Sequence, residues 1–218
     1  MLLSHARRFV FFPDPIDGSP ILSGGFAPLT DTDLQDRARR GALFHSTMSP
    51  AEAEWAFDGA GYAFRTYLRV AVVQNPFVQM VKLYEKITAT DQIWQARYKA
   101  GLGRPDFYRW LRGTRPNGMG AGSKHSPTWR RFGAWSARNW CGDYVSHVIR
   151  QEAMEEDLTA VLGILGVAPS FDKPLKSIKT DIDWESYYDE RSIALMHHRY
   201  GWDLAQYGYR MPTHLCAG

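Results

Sequence analysis

His45 follows the apolar pair Leu43-Phe44, and a histidine there can accept a proton and return it, because its ordinary pKa lies near neutrality. On its own, a histidine after an apolar run is more often a satisfied structural residue than a catalytic one. Arg130-Arg131, with Arg112 and Arg115 before them, carry planar guanidinium forks that clamp a carboxylate, sulfate or phosphate, or else solvate a surface. His197 and His198 are adjacent on a helical stretch and therefore point in different directions, and no other His or carboxylate pair has metal-ligand spacing.

The elements that must position these groups can be read from pattern and punctuation. Phe9-Val10-Phe11-Phe12 is an apolar run closed by Pro13 and Pro15, as expected of a buried first strand entering a loop. Leu43 to His45 reads as a short strand. Ser49-Pro50-Ala51-Glu52 then supplies a cap residue, a proline at the first helical position and a glutamate at the third. Tyr67 to Val73 is rich in β-branched residues and reads as a central strand, with a helix from Pro76 to about Ile87. From Ala100 to Trp140, Gly, Pro, Arg and Trp crowd together without a period, as in a long excursion over an active face with one short helix near Asp106 to Arg112. Tyr144 to Ile149 reads as a strand, Glu155 to Leu165 as a helix closed by Gly166, and Asp189 to Tyr207 as a long helix capped by Asp189. Strands alternating with helices predict a three-layer α/β sandwich around a parallel sheet of four or five strands, with its cleft at the carboxyl ends of the strands over 9–12 and 67–73.

The totals bound the rest. A chain of 218 residues, 44% hydrophobic and 14% aromatic, fits a single folded domain over residues 1–218. A formal charge of +3, with Lys and Arg spread among acids, lacks the concentrated basic footprint of a nucleic-acid binder. The apolar stretch at the start, Met1 to Phe12, is interrupted by Arg7 and Arg8 and is too short for a signal h-region or a membrane span. Cys141 and Cys216 are too few for a disulfide framework, so free thiols in the cytoplasm are expected. Phe12, Trp55, Phe77, Tyr84, Trp94, Trp110, Trp129, Trp135 and Trp140 lie on segments expected near the cleft, where they would serve as pocket walls or as core.

Five segments, 9–28, 45–57, 70–84, 140–165 and 187–209, together resemble the PAPS-dependent sulfotransferases, in the manner of a bacterial relative of the Golgi carbohydrate sulfotransferases. In that family the first strand opens into a Pro-Lys-Thr-Gly-Gly-Thr-Ser loop, and a later strand ends in Arg-Asn-Pro with a Ser one to two turns on. Val148-Ile149-Arg150-Gln151-Glu152 with Glu155-Glu156-Asp157-Leu158 is similar to the family's arginine-to-acidic-helix passage. Tyr187-Tyr188-Asp189-Glu190 with Tyr200-Gly201-Trp202-Asp203 is similar to its closing helix.

The resemblance implies a sulfotransferase fold and places the departures. Pro15 is kept, but Ile16 stands for the family's Lys, Asp17 for its Thr and Pro20 for its second Thr. Gln74 stands for the Arg that grips the donor's 3′-phosphate, and Lys82 occupies the position of the Ser. Each lost charged contact is worth roughly 1.5–3 kcal/mol, so their sum weakens donor binding by several orders of magnitude unless Lys82, Arg130 and Arg131 grip the donor in another way. His45 falls where the carbohydrate sulfotransferases carry the His that deprotonates the acceptor. These expectations point to an enzyme repurposed for proton-transfer chemistry, a cyclisation, isomerisation or elimination, on a small molecule and without a cofactor. His45 would be the base or acid, and Ile16, Asp17, Gly18 and Ser19 would shape the pocket. Two rivals are a genuine sulfotransferase that uses PAPS through a rearranged site and a non-catalytic binding or scaffold protein acting as a homodimer. Neither a nucleic-acid partner nor a membrane is expected.

Overall fold

The structure is a computed structural model and describes residues 1–34, 43–116, 127–168, 182–209 and 211–212. Cys216 and the middle of the 100–140 excursion lie outside these residues. In chain order the elements are β1 (Leu2–Ser4), β2 (Phe9–Phe12), α1 (Pro20–Phe26), α2 (Pro50–Gly59), β3 (Leu68–Val73), α3 (Pro76–Thr90) and α4 (Gln92–Lys99). They continue with α5 (Phe107–Gly113), α6 (Thr128–Phe132), α7 (Ala137–Cys141), β4 (His147–Arg150), α8 (Met154–Ile164) and α9 (Glu190–Tyr207). The chain divides into two compact units, Met1–Gln74 with Trp140–Lys179 and Asn75–Asn139 with Thr180–Gly218.

The first unit is built on a mixed sheet of order β1-β2-β3-β4. β2 pairs parallel with β3, Phe11 opposite Val70, and β3 pairs parallel with β4, Val72 opposite Ile149. β1 closes the edge in the antiparallel sense, Leu3 opposite Val10. The three residues of β1 are too short to announce themselves by alternation, and the sequence reading omits them. All four residues of β2 are fully buried, as a strand covered on both faces requires. Phe9, Phe11, Val70, Val72 and Ile149 join Leu22, Phe26, Leu158 and Val161 in one core cluster, with the rings of Phe11 and Phe26 stacked 4.4 Å apart.

Two readings change here. Leu43 to His45 is not a strand: the segment bends, Leu43 is 41% exposed, and Phe44 turns to meet Phe57 edge-on at 5.1 Å. Three residues with one outward apolar side chain gain too little from a ladder to hold one. β4 starts at His147 and not at Tyr144, because Gly142, at a φ of 46°, puts residues 142–144 in a turn. The helix starts follow their punctuation. At α2 the Ser49 hydroxyl accepts from the Glu52 N–H at 3.3 Å and the Glu52 carboxylate accepts from the Ser49 N–H at 2.9 Å. After β4, Arg150 donates to Asp157 of α8 through two guanidinium nitrogens, at 2.8 and 2.7 Å.

The second unit is helical. Asn75 caps α3 by accepting the Phe77 N–H at 3.0 Å, with Pro76 at the first position. The Asp189 carboxylate caps α9, accepting from the Ser192 N–H at 2.8 Å, and Gly208 ends the helix with a φ of 64°. The buried hydroxyl of Tyr188 donates to the Phe77 carbonyl at 2.8 Å, and that of Tyr200 to the Ala134 carbonyl at 2.7 Å. Asp203 accepts from the Ala137 N–H at 2.7 Å and the Arg138 N–H at 3.1 Å, which starts α7. Burial pushes the Asp203 carboxyl above its ordinary value, and these two donors oppose that.

Candidate functional site

The turn after β2 is closed on itself. Asp14 is buried, and its Oδ1 accepts the backbone N–H of Ile16 at 2.8 Å and of Asp17 at 3.1 Å. The Gly18 N–H donates to the Asp14 carbonyl at 2.9 Å, and the Ser19 N–H to Asp17 Oδ1 at 2.9 Å. Ser19, at a φ of 45°, turns its hydroxyl back to accept the Asp14 N–H at 3.0 Å. Every backbone donor from Ile16 to Ser19 is thus spent on an acceptor of the same turn. Two successive N–H groups, those of Ile16 and Asp17, converge as they would on a bound anion, and the anion they hold is the carboxylate of Asp14.

Gln74, at the carboxyl end of the neighbouring strand β3, completes this arrangement. Its Nε2 donates to the second oxygen of Asp14 at 2.9 Å. Its Oε1 is buried and has no donor among the described residues. What would complete that group is an N–H or O–H, because a phosphate oxygen is itself an acceptor. Ile16 and Ser19 are buried, while Asp17 is exposed. His45 is 9% exposed on the bend before α2. Its Nδ1 lies 3.1 Å from the Thr47 hydroxyl, and its N–H meets the Met48 sulfur at 3.5 Å, so neighbouring side chains fix both ring and backbone.

The remaining predicted residues belong to the second unit. Lys82 is half-buried on α3. Arg130 and Arg131 of α6 line a cleft of about 890 Å³, shared with Trp94 and Arg97 of α4 and with Arg109 and Trp110 of α5. Leu83, Ile87 and Ala134 supply apolar wall. Arg130 is ion-paired with Asp91, and its guanidinium sits 5.0 Å over the Trp129 ring. Arg131 lies 4.3 Å over Phe132. Arg104 also lines the cleft and pairs with Glu85 at 2.8 Å, which in turn accepts the Tyr187 hydroxyl at 2.7 Å. Burial pushes the Glu85 carboxyl up, but these donors outweigh it and hold it below its ordinary value. The polypeptide under α6 is tight: Gln79 donates to the carbonyls of Gly133 and Trp135 at 2.8 and 2.9 Å.

Sequence reasoning singled out the cleft's tryptophans and Arg130-Arg131. It missed Asp14, Arg97 and Arg109. Arg97 follows Trp94 by three residues, the spacing that shares a helix face, and was legible once 92–99 is read as a helix. Among the described residues, no group of three or more His, Cys, Asp or Glu side chains could hold a metal ion, and no helix is long and apolar enough to cross a membrane. Comparison with family models, with curated proteins and with solved structures finds no match to this chain.

Proposed function

We propose that the protein is a divergent, single-domain α/β enzyme of sulfotransferase-like, three-layer fold that acts on a small molecule without PAPS. His45 moves a proton as general base or acid. The observation that carries this reading is the Asp14 carboxylate held by the backbone N–H groups of Ile16 and Asp17 and by Gln74. A nucleotide phosphate needs those same donors. Brought within about 4 Å of a carboxylate, it meets a repulsion of roughly 4 kcal/mol per pair of unit charges at an effective dielectric of about 20. The unsatisfied Gln74 Oε1 adds a preference for a hydroxyl or amine over an anion.

The test is calorimetric titration with adenosine bisphosphate. Binding weaker than about 100 μM is the expected result. Micromolar binding that persists in an Arg97→Gln/Arg109→Gln double variant would place the nucleotide outside the arginine cleft and restore sulfuryl transfer as the activity.

A further inference from the structure

We infer that the cleft of the second unit binds a flat aromatic molecule bearing an oxyanion, a carboxylate or a sulfate. The inference stands on the second unit alone and is independent of the reading of Asp14 and His45.

The cleft has an ordered composition. Three helices each bring it a tryptophan and an arginine: Trp94 with Arg97, Trp110 with Arg109, and Trp129 with Arg130. Indole faces recognise flat rings, and a guanidinium stacked by its own face keeps its edge donors for a planar oxyanion. The Arg97 guanidinium lies over the Trp94 ring, 5.5 Å from its centroid.

Charge decides the sign of the ligand. Arg104 and Arg130 are answered by Glu85 and Asp91, but Arg97, Arg109 and Arg115 have no carboxylate partner among the described residues. The acid on the wall, Asp106, is committed to the start of α5, where it accepts the Arg109 N–H at 2.9 Å. Like charges gathered in one concavity raise each other's energy until a counter-charge arrives.

A separate observation asks for the same polarity. The indole N–H of Trp135, also on the wall, is buried and has no acceptor among the described residues. Tryptophan only donates, so its missing partner is an acceptor. The volume of about 890 Å³ lies within the range of small-molecule sites. A nucleic acid would need a basic track along the surface, whereas these arginines line a concavity in a chain of net charge +3.

The full-length protein would be titrated with naphthalenesulfonate, naphthoate, naphthol and inorganic sulfate, reading heat and tryptophan fluorescence. At least one of the two aromatic anions should saturate a single site, with naphthol and inorganic sulfate at least ~10-fold weaker. Whichever anion binds more tightly identifies the ligand as carboxylate or sulfate. The Arg97→Gln/Arg109→Gln variant should weaken that anion at least ~10-fold and leave naphthol within about twofold. The comparison among probes uses the unaltered protein, so it holds even if the variant does not fold. Equal affinity for naphthol and both anions, no saturable binding of either anion, or a folded double variant with unchanged anion affinity would each overturn the inference.

Discussion

Gln74 donates its side-chain amide to the Asp14 carboxylate over 2.9 Å, and this bond ties together the turns that leave the paired parallel strands β2 and β3. Both residues are buried, at 3% exposure each. The turn after β2 is closed by a residue of its own chain and steadied by a second one 60 positions away.

Asp14→Ala should therefore destabilise the fold. It strands the Ile16 and Asp17 N–H groups and the Gln74 amide, and buried donors left without acceptors cost about 1–3 kcal/mol. Urea denaturation would measure the loss, and a variant as stable as the parent would show that the turn does not depend on its carboxylate.

Gly133→Ala should also destabilise, for a steric reason. A Cβ there would lie 2.3 Å from the Trp129 carbonyl oxygen and 2.8 Å from Leu83 Cδ1. Overpacking of this kind costs about 1–3 kcal/mol. Because Trp129 and Leu83 both line the arginine cleft, affinity for an aromatic anion should fall with the melting temperature. Thermal melting and titration of the same preparation would check the pair of effects.

Asp189 and Asp31 make stability sensitive to acid. Hydrogen bonds from the Ser192 hydroxyl and N–H bring the Asp189 carboxyl down to about 2. At Asp31 burial pushes upward, but the N–H groups of Ala6 and His5 and the hydroxyls of Ser4 and Thr32 outweigh it, and the carboxyl again falls to about 2. Each pKa is lower folded than unfolded, so acid favours the unfolded chain. The stabilisation is fully present above the ordinary value of 3.8 and is lost as the pH falls from there through about 2. Melting curves across that window should fall less steeply for Asp189→Asn than for the parent, and identical slopes would contradict the assignment.

His45→Ala should reduce turnover at least ~100-fold on any substrate the parent protein converts, with the circular dichroism unchanged. Near-normal turnover would remove His45 from the chemistry.

Much of the framework was legible because it is written in local signals. Ser49 and Glu52, Asn75 and Pro76, and Asp189 each start the helix their type announces, and the β-branched run ending at Val73 is the strand it reads as. Where signals were brief or conflicting, reading failed: β1 is three residues long, and Leu43 to His45 has the composition of a strand but bends away. The sites were less legible for a different reason. Asp14 acquires its role only through a left-handed Ser19 and a glutamine far along the chain, relationships that no spacing encodes. Arginine-rich stretches read alike whether they face water or a cleft; the difference lies in which helices bring Trp94, Trp110 and Trp129 to one cavity.

The self-contained turn after β2 also bears on solvent exchange. Amide protons from Ile16 to Ser19 are engaged before anything binds, so they should exchange with deuterium slowly in the ligand-free protein. A turn that waited for its counter-ion would stay labile until it was filled, whereas this one has its donors engaged as soon as the chain folds.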